Sequence, residues 1–256
     1  MNSIDDIKVV SAAGGNATAI QLLDKALERS EYERRGREIE KDSRLSDKGV
    51  EQVGFLVRDD SHFEMAGSEF CGNAARAAAF LFARISGTDN VLFTMSGFDG
   101  TVNGYVEDPE STKSVVECRF PNLPLGVSPT NLSGDRKAIV VDLGGIVHVL
   151  VEGSLPDDYE DLHQSITEEL NLRDRAAVGV IWVELKEGRA VINPVVWVKA
   201  VNTFYYESSC GSGSIATARA FHVSEIVQPI GQSIFVDFEE ADGGTTTVLR
   251  SEMEVR

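Results

Sequence analysis

Two cysteines stand in matching settings. Cys71 lies in Phe70-Cys71-Gly72-Asn73 ahead of an Ala-rich run, Ala74 to Ile85, and Cys210 lies in Ser209-Cys210-Gly211-Ser212-Gly213 ahead of Ser214 to Phe221. In each, a thiol precedes glycine and a small polar residue where a buried helix is predicted to start. A thiol serves as base or nucleophile only as thiolate, and its reference pKa is about 8.5. A helix start lowers that value, because unpaired backbone N–H groups and the dipole favour negative charge there. The glycines leave those N–H groups uncovered, so they also suit a carboxylate held between two helix ends. Two such halves place one sulfur on each face of a ligand, which suits a reaction in which one face loses a proton and the other gains one. Inversion of an amino acid Cα is of that kind: a thiolate removes the proton and a thiol delivers one from the opposite side. Each well-aimed donor at the carboxylate adds about 10²- to 10³-fold by stabilising the carbanion.

The elements that must position these residues read as two similar halves. Ile7 to Ser11 is predicted to be a strand, Ala12 to Asn16 a turn around two glycines, and Ala17 to Asp24 a strand or short helix. Ser30-x-x-Glu33 has the form of a capping box opening a charged surface helix, Tyr32 to Asp42. Glu51 to Val57 enters a strand, and Val91–Thr94, Gly100–Val106 and Ser114–Phe120 follow the first cysteine helix as strands. That helix is apolar on nearly every face apart from Arg76 and Arg84, so other structure should wrap it. Pro121 to Ser133, with three prolines, is the candidate crossover, giving domains 1–121 and 122–256, with a closing strand free to pack back on the first. The second half offers strands at Ala138–Leu143 and Ile146–Val151, an amphipathic helix at Asp157–Asn171, and a hairpin about Lys186 to Arg189. Ser233–Phe238 and Thr245–Leu249 complete it. Arg76 and Arg219 read as helix residues that snorkel or pair with acids. Cys118 reads as a structural strand residue.

The bulk numbers exclude other classes. With 256 residues, 42% of them hydrophobic and 25% charged, the chain has an ordinary globular composition. A net charge of -17 argues against nucleic acid, whose phosphates require clustered Lys and Arg. No apolar run is long enough to span a membrane, and Met1 to Lys8 lacks a leader pattern. Three cysteines without a Cys-x-x-Cys form neither a disulfide framework nor a zinc knuckle, so the expected compartment is the cytoplasm, with free thiols.

On these motifs the chain resembles the diaminopimelate epimerase family. The resemblance rests on Phe70-Cys71-Gly72-Asn73-Ala74 with Ala75-Arg76, the upstream Gly67-Ser68-Glu69, Cys210-Gly211-Ser212-Gly213, Gly15-Asn16 near the start, and Gln52 before a strand. It implies an α/β (α+β) fold of two pseudo-symmetric domains, each a curved, largely antiparallel sheet around a central buried helix. It implies cofactor-independent, two-thiol racemisation or epimerisation in the cleft between them, with Cys71 and Cys210 catalytic. Substrate contacts are expected from Asn16, Gln52, Ser68, Gly72, Asn73, His148, Gly211 and Ser212, with no metal and no cofactor. Expected partners are a small amino acid and, in a homodimer, a second copy of the chain.

Departures from the family pattern narrow the substrate. Diaminopimelate epimerases hold the distal head of their substrate with an Asn before the first cysteine motif and an Arg before the second. Here Phe63 to Gly67 and Val201 to Glu207 contain neither at the matching places, leaving Lys199 as the cation that could reach a distal carboxylate. Glu51-Gln52-Val53-Gly54-Phe55, Met65 to Asn73 and Tyr206 to Gly213 are similar to the family's histidine racemases, associated with opine-type metallophore synthesis. Glu51 and Glu207 are carboxylates suited to an imidazole or ammonium side chain. The expectation is therefore conversion of L-histidine to D-histidine. The alternatives are a diaminopimelate epimerase or 2,4-diaminobutyrate racemase, a non-racemase isomerase or binding protein of the same fold, and a hydrolase using one cysteine.

Overall fold

The computed structural model describes residues 7–46, 48–241 and 243–256. Residues 1–6, which carry most of the stretch read for a leader, lie outside the described residues. The first half runs β1 (Ile7–Ala12), β2 (Gly15–Leu23), α1 (Arg29–Glu40), α2 (Ser43–Ser46), β3 (Val50–Val57), β4 (His62–Met65), α3 (Gly72–Ser86), β5 (Asn90–Met95), β6 (Phe98–Val106) and β7 (Lys113–Pro121). The second runs β8 (Gly126–Leu132), β9 (Arg136–Asp142), β10 (Val147–Glu152), α4 (Tyr159–Glu169), β11 (Ala177–Lys186), β12 (Arg189–Val198) and β13 (Thr203–Tyr206). It ends with α5 (Gly211–Phe221), β14 (Glu225–Val227), β15 (Ser233–Ala241) and β16 (Gly244–Val255).

One strand belongs to both halves. Strands β1 to β7 are neighbours in chain order, β16 follows β7, and β16 also pairs with β1, so eight strands close into a ring. From β16 the sheet continues through β15, β14, β12, β11, β10 and β9 to the edge strand β8. Along one edge β16 pairs with β7 from Thr246 to Glu254; along the other it pairs first with β15 and then, from Met253 to Val255, with β1. Most pairings are antiparallel, as expected of the fold.

Helix α3 fills the ring. Every residue from Gly72 to Ala83 is buried, and the alanines let the strands approach closely. Cys71 caps its start and Gly87, at φ 67, ends it in the left-handed conformation. Helix α5 takes the matching place in the second half, capped by Cys210 and buried from Gly211 to Ala218. The main apolar cluster contains both helices. The cysteines are therefore caps preceding the helices, not members of their first turns.

Several sequence expectations need correction. Helix α1 begins at Arg29 behind Glu28, which makes no side-chain cap bond, and Ser30 lies inside it. Tertiary contacts set this start: Arg29 bonds Glu64 and the Met65 and Ala66 carbonyls, and the Tyr32 hydroxyl accepts the Leu27 N–H. Most of the proposed crossover is strand β8; Pro129 is tolerated there because the strand lies at an edge. The short strands β4, β13 and β14 have too few residues to show a period. Arg219 stacks over the Phe238 ring at 5.7 Å. Arg76 does not snorkel, since it has no exposed surface, and among the described residues it pairs with no acid. No helix among the described residues is long and apolar enough to cross a membrane.

Candidate active site

The two helix starts meet end to end. Cys71 and Cys210 have extended backbones, and each sulfur accepts the N–H three residues on, from Ala74 at 3.4 Å and Gly213 at 3.3 Å. A Cβ on Gly211 would lie 2.8 Å from the Asn73 nitrogen and the Gly72 carbonyl carbon, so only glycine allows the approach. N–H groups of both helix starts converge there, making a positive end to the site.

The thiols line a narrow cleft with Gln52, Glu69, Glu207 and Ser212. An adjoining narrow cavity shares Gln52, Glu69 and Glu207 and adds Glu40, Glu51 and Tyr205. Among the described residues that line the two cavities there is no Lys, Arg or His. The site is therefore bipolar, with backbone donors at one end and carboxylates at the other.

Hydrogen bonds tie its walls together across the halves. The Cys71 thiol donates to Gln52 Oε1 at 2.9 Å, and Gln52 Nε2 donates to Glu207 Oε1 at 3.0 Å. The Ser208 hydroxyl donates to Glu51 Oε1 at 2.6 Å. The amides of Asn16 and Asn73 both donate to the Ser209 carbonyl, at 2.7 and 2.8 Å. His148 is wholly buried; its Nε2 lies 2.9 Å from Ser212 Oγ, itself 3.7 Å from Cys210 Sγ. Burial pushes His148 down to about 3, so its ring is neutral.

The thiols titrate opposite to the sequence expectation. Burial pushes Cys71 up to about 12, with the charge of Glu207 adding to it; the Ala74 N–H works the other way without prevailing. Cys210 is raised by burial, then by the charge of Glu207 and a hydrogen bond to it. The resting site thus holds two thiols. Burial likewise lifts Glu207 to about 8 and Glu69 to about 7, and raises Glu51.

A stability prediction follows. Glu207 holds its proton from the ordinary 4.5 up to about 8, so in that window the folded chain binds more protons than the unfolded one. Stability then falls as pH rises through it. Calorimetry is expected to show the melting midpoint dropping between about pH 5 and pH 8, and Glu207→Gln flattening the drop. A midpoint that climbs over this range, or an unaltered slope in the variant, contradicts the assignment.

The structure brings Asn16, Glu51, Gln52, Gly72, Asn73, His148, Glu207, Gly211 and Ser212 to the cysteine pair or its hydrogen-bonded surround. Ser68 is not among them: at φ 64 its hydroxyl turns away to Glu64 Oε1 at 3.0 Å. Lys199 pairs with Asp174 at 2.9 Å and lines neither cavity. The side-chain amide of Asn73 is occupied by Ser209 and Arg76 rather than turned to a ligand carboxylate. Sequence reasoning missed Glu40, Tyr205 and Glu69 as cavity walls. A signal for Glu69 was present, since an acid stands shortly before each cysteine. All three cysteines are free, and Cys118 is buried in β7. Among the described residues no three His, Cys, Asp or Glu side chains are grouped to hold a metal ion.

Residues 16–246 match the family model described as the histidine racemase CntK N-terminal domain. The chain belongs to the histidine racemase family. It is accordingly an isomerase, an amino acid racemase. A histidine racemase from Fusobacterium nucleatum subsp. nucleatum is 30% identical over 197 residues, 71% of each chain. Among solved structures, a hydroxyproline epimerase from Agrobacterium vitis with bound trans-4-hydroxy-L-proline superposes with a TM-score of 0.58 at 13% identity, covering 98% of this chain and 90% of that one. A phenazine biosynthesis protein of the PhzF family from Enterococcus faecalis does so at 0.52 and 15% identity, covering 97% and 95%. These two likenesses bear on the fold alone.

Proposed function

We propose that this racemase interconverts L- and D-histidine by proton exchange between Cys71 and Cys210. The observation that carries the substrate is the cavity beside the thiols, walled by Glu40, Glu51, Glu69 and Glu207 and free of any lysine or arginine among the described residues. The substrate carboxylate lies against the paired helix starts, where backbone donors favour negative charge. That leaves Cα between the sulfurs and directs the side chain toward the acids. An imidazole can donate to Glu207 Oε2 and Glu51 Oε2, both buried and without a partner of their own. A distal carboxylate, as in diaminopimelate, meets only like charge there.

The raised thiol values favour a cationic substrate. Burial is the main cause holding both thiols protonated, and Glu207 adds to it once ionised; a bound ammonium or imidazolium offsets that charge and lets one sulfur lose its proton. That thiolate takes the Cα proton while the opposite thiol supplies one to the other face. The two sulfurs then exchange roles for the reverse direction. The named activity of the Fusobacterium relative supports the same reading.

The test is to incubate the enzyme in deuterated water with L-histidine, meso-diaminopimelate, L-2,4-diaminobutyrate and L-proline, following the Cα proton by NMR. Histidine is expected to lose its signal as D-histidine forms. Retention of the histidine signal while another substrate exchanges would overturn the assignment.

A further inference from the structure

Arg76 lies in the second turn of α3, behind the cysteine that caps it, and has no exposed surface. Its guanidinium donates to Asn73 Oδ1, while Nε and Nη1 have no partner. Among the described residues it forms no ion pair with a carboxylate. Its charge interacts with three thiols: most with Cys118 on β7, then with Cys71 at the start of its own helix and Cys210 at the start of α5. Burial lowers its pKa only to about 10, so the cation persists at neutral pH.

An unpaired buried cation is costly unless something nearby becomes negative. The reaction supplies such a group, because a thiolate must form at the cysteine pair during turnover. The guanidinium also steadies Asn73, whose amide donates to the Ser209 carbonyl, one residue before Cys210. One side chain on the first half therefore bears on both sulfurs, by charge and through a single hydrogen-bonded link.

We propose that Arg76 is a positioning residue whose buried charge, fixed behind the two helix starts, favours the thiolate at the cysteine pair and holds the Asn73–Ser209 link that spaces the sulfurs. The role rests on the two-thiol reading above. It uses charge at a distance, since Arg76 lines neither cavity. Glu207 and Glu69 line the thiol cleft and act against Arg76, Glu207 at both sulfurs and Glu69 at Cys71.

The experiment compares the wild type, Arg76→Gln and Arg76→Lys in a Cys118→Ser background, measuring the rate of iodoacetamide alkylation of the two remaining thiols without substrate at about pH 8.5, where the rate follows the small thiolate fraction. Arg76→Gln is expected to slow alkylation about tenfold. Its kcat should fall at least about tenfold, with KM changed less than about threefold. Arg76→Lys, which keeps the charge, should hold the alkylation rate within about twofold of the wild type. A folded Arg76→Gln with the wild-type alkylation rate overturns the proposal. Should Arg76→Gln not fold, Arg76→Lys decides: a held rate with reduced kcat supports it, and a rate slowed about tenfold overturns it. Alkylation requires no substrate, so failure of histidine exchange in the wild type refutes the substrate assignment separately.

Discussion

Serine in place of either Cys71 or Cys210 is expected to reduce histidine racemisation by at least about 10³-fold, in both directions. A serine hydroxyl neither ionises in this pH range nor matches the thiol as an acid. Each sulfur takes part in every turnover, one receiving the proton and the other giving it, so the losses should be of similar size. The fold should survive, because serine is a good helix cap and can accept the Ala74 or Gly213 N–H that the sulfur now accepts. Circular dichroism and melting midpoints close to the wild type would confirm that the loss is chemical. Polarimetry of the two variants is the decisive measurement. Either one within about tenfold of the wild type would exclude a two-sulfur exchange, and Cys71→Ser alone losing activity would indicate a single nucleophile.

The second large effect is structural. Gly97 has φ +72, and a Cβ there would lie 2.1 Å from the Phe70 nitrogen and 2.5 Å from the Glu69 carbonyl carbon. Gly145, from the second half, packs on the same place: its Cβ would be 2.6 Å from the Gly97 oxygen and 2.7 Å from the Phe70 nitrogen. Three pieces of backbone stack without side chains between them, immediately before Cys71. Gly97→Ala is expected to cost about 3–5 kcal/mol, combining left-handed strain with a clash that cannot relax by rotating a side chain. Gly134→Ala is the control, since Gly134 also has positive φ, +77, but nothing within 4 Å of its Cβ. It should cost only about 1 kcal/mol. Urea unfolding of the two variants separates the contributions. Equal losses would show that the stack before Cys71 is not a tight constraint.

What could be read from the chain was local. The cysteine-glycine pairs were legible because a helix cap, its following glycines and the apolar run all lie within a few residues. The acids at Glu51 and Glu207 were legible because each adjoins a motif. What failed depended on distant chain. The capping box at Ser30 was overridden by Arg29 reaching Glu64 and the carbonyls of Met65 and Ala66. Ser68 sits within a motif, but Glu64 turns its hydroxyl aside. The thiol shift took the opposite sign because desolvation is created by the surrounding sheet, whereas the helix-start effect is carried by the next three residues. Arg76 carries no sequence mark of burial, since an arginine within an alanine run is ordinarily the exposed stripe of the helix. A closing strand returning to the first half was among the expectations, but its sharing among β7, β15 and β1 was not, because a strand pattern shows one face toward a core but not which neighbours it will have.

That sharing has a consequence for how the molecule is made. On the ribosome, the first seven strands and α3 emerge well before β16, yet the ring around α3 lacks one of its eight staves until residues 244–255 have been synthesised. The first half cannot complete its closure before that segment emerges, so it cannot fold ahead of the second half, as domains of a multidomain chain usually do. Both halves must mature together, and a nascent chain stalled anywhere before β16 would present an open seam between β7 and β1, a template for strand addition by chaperones or by neighbouring chains.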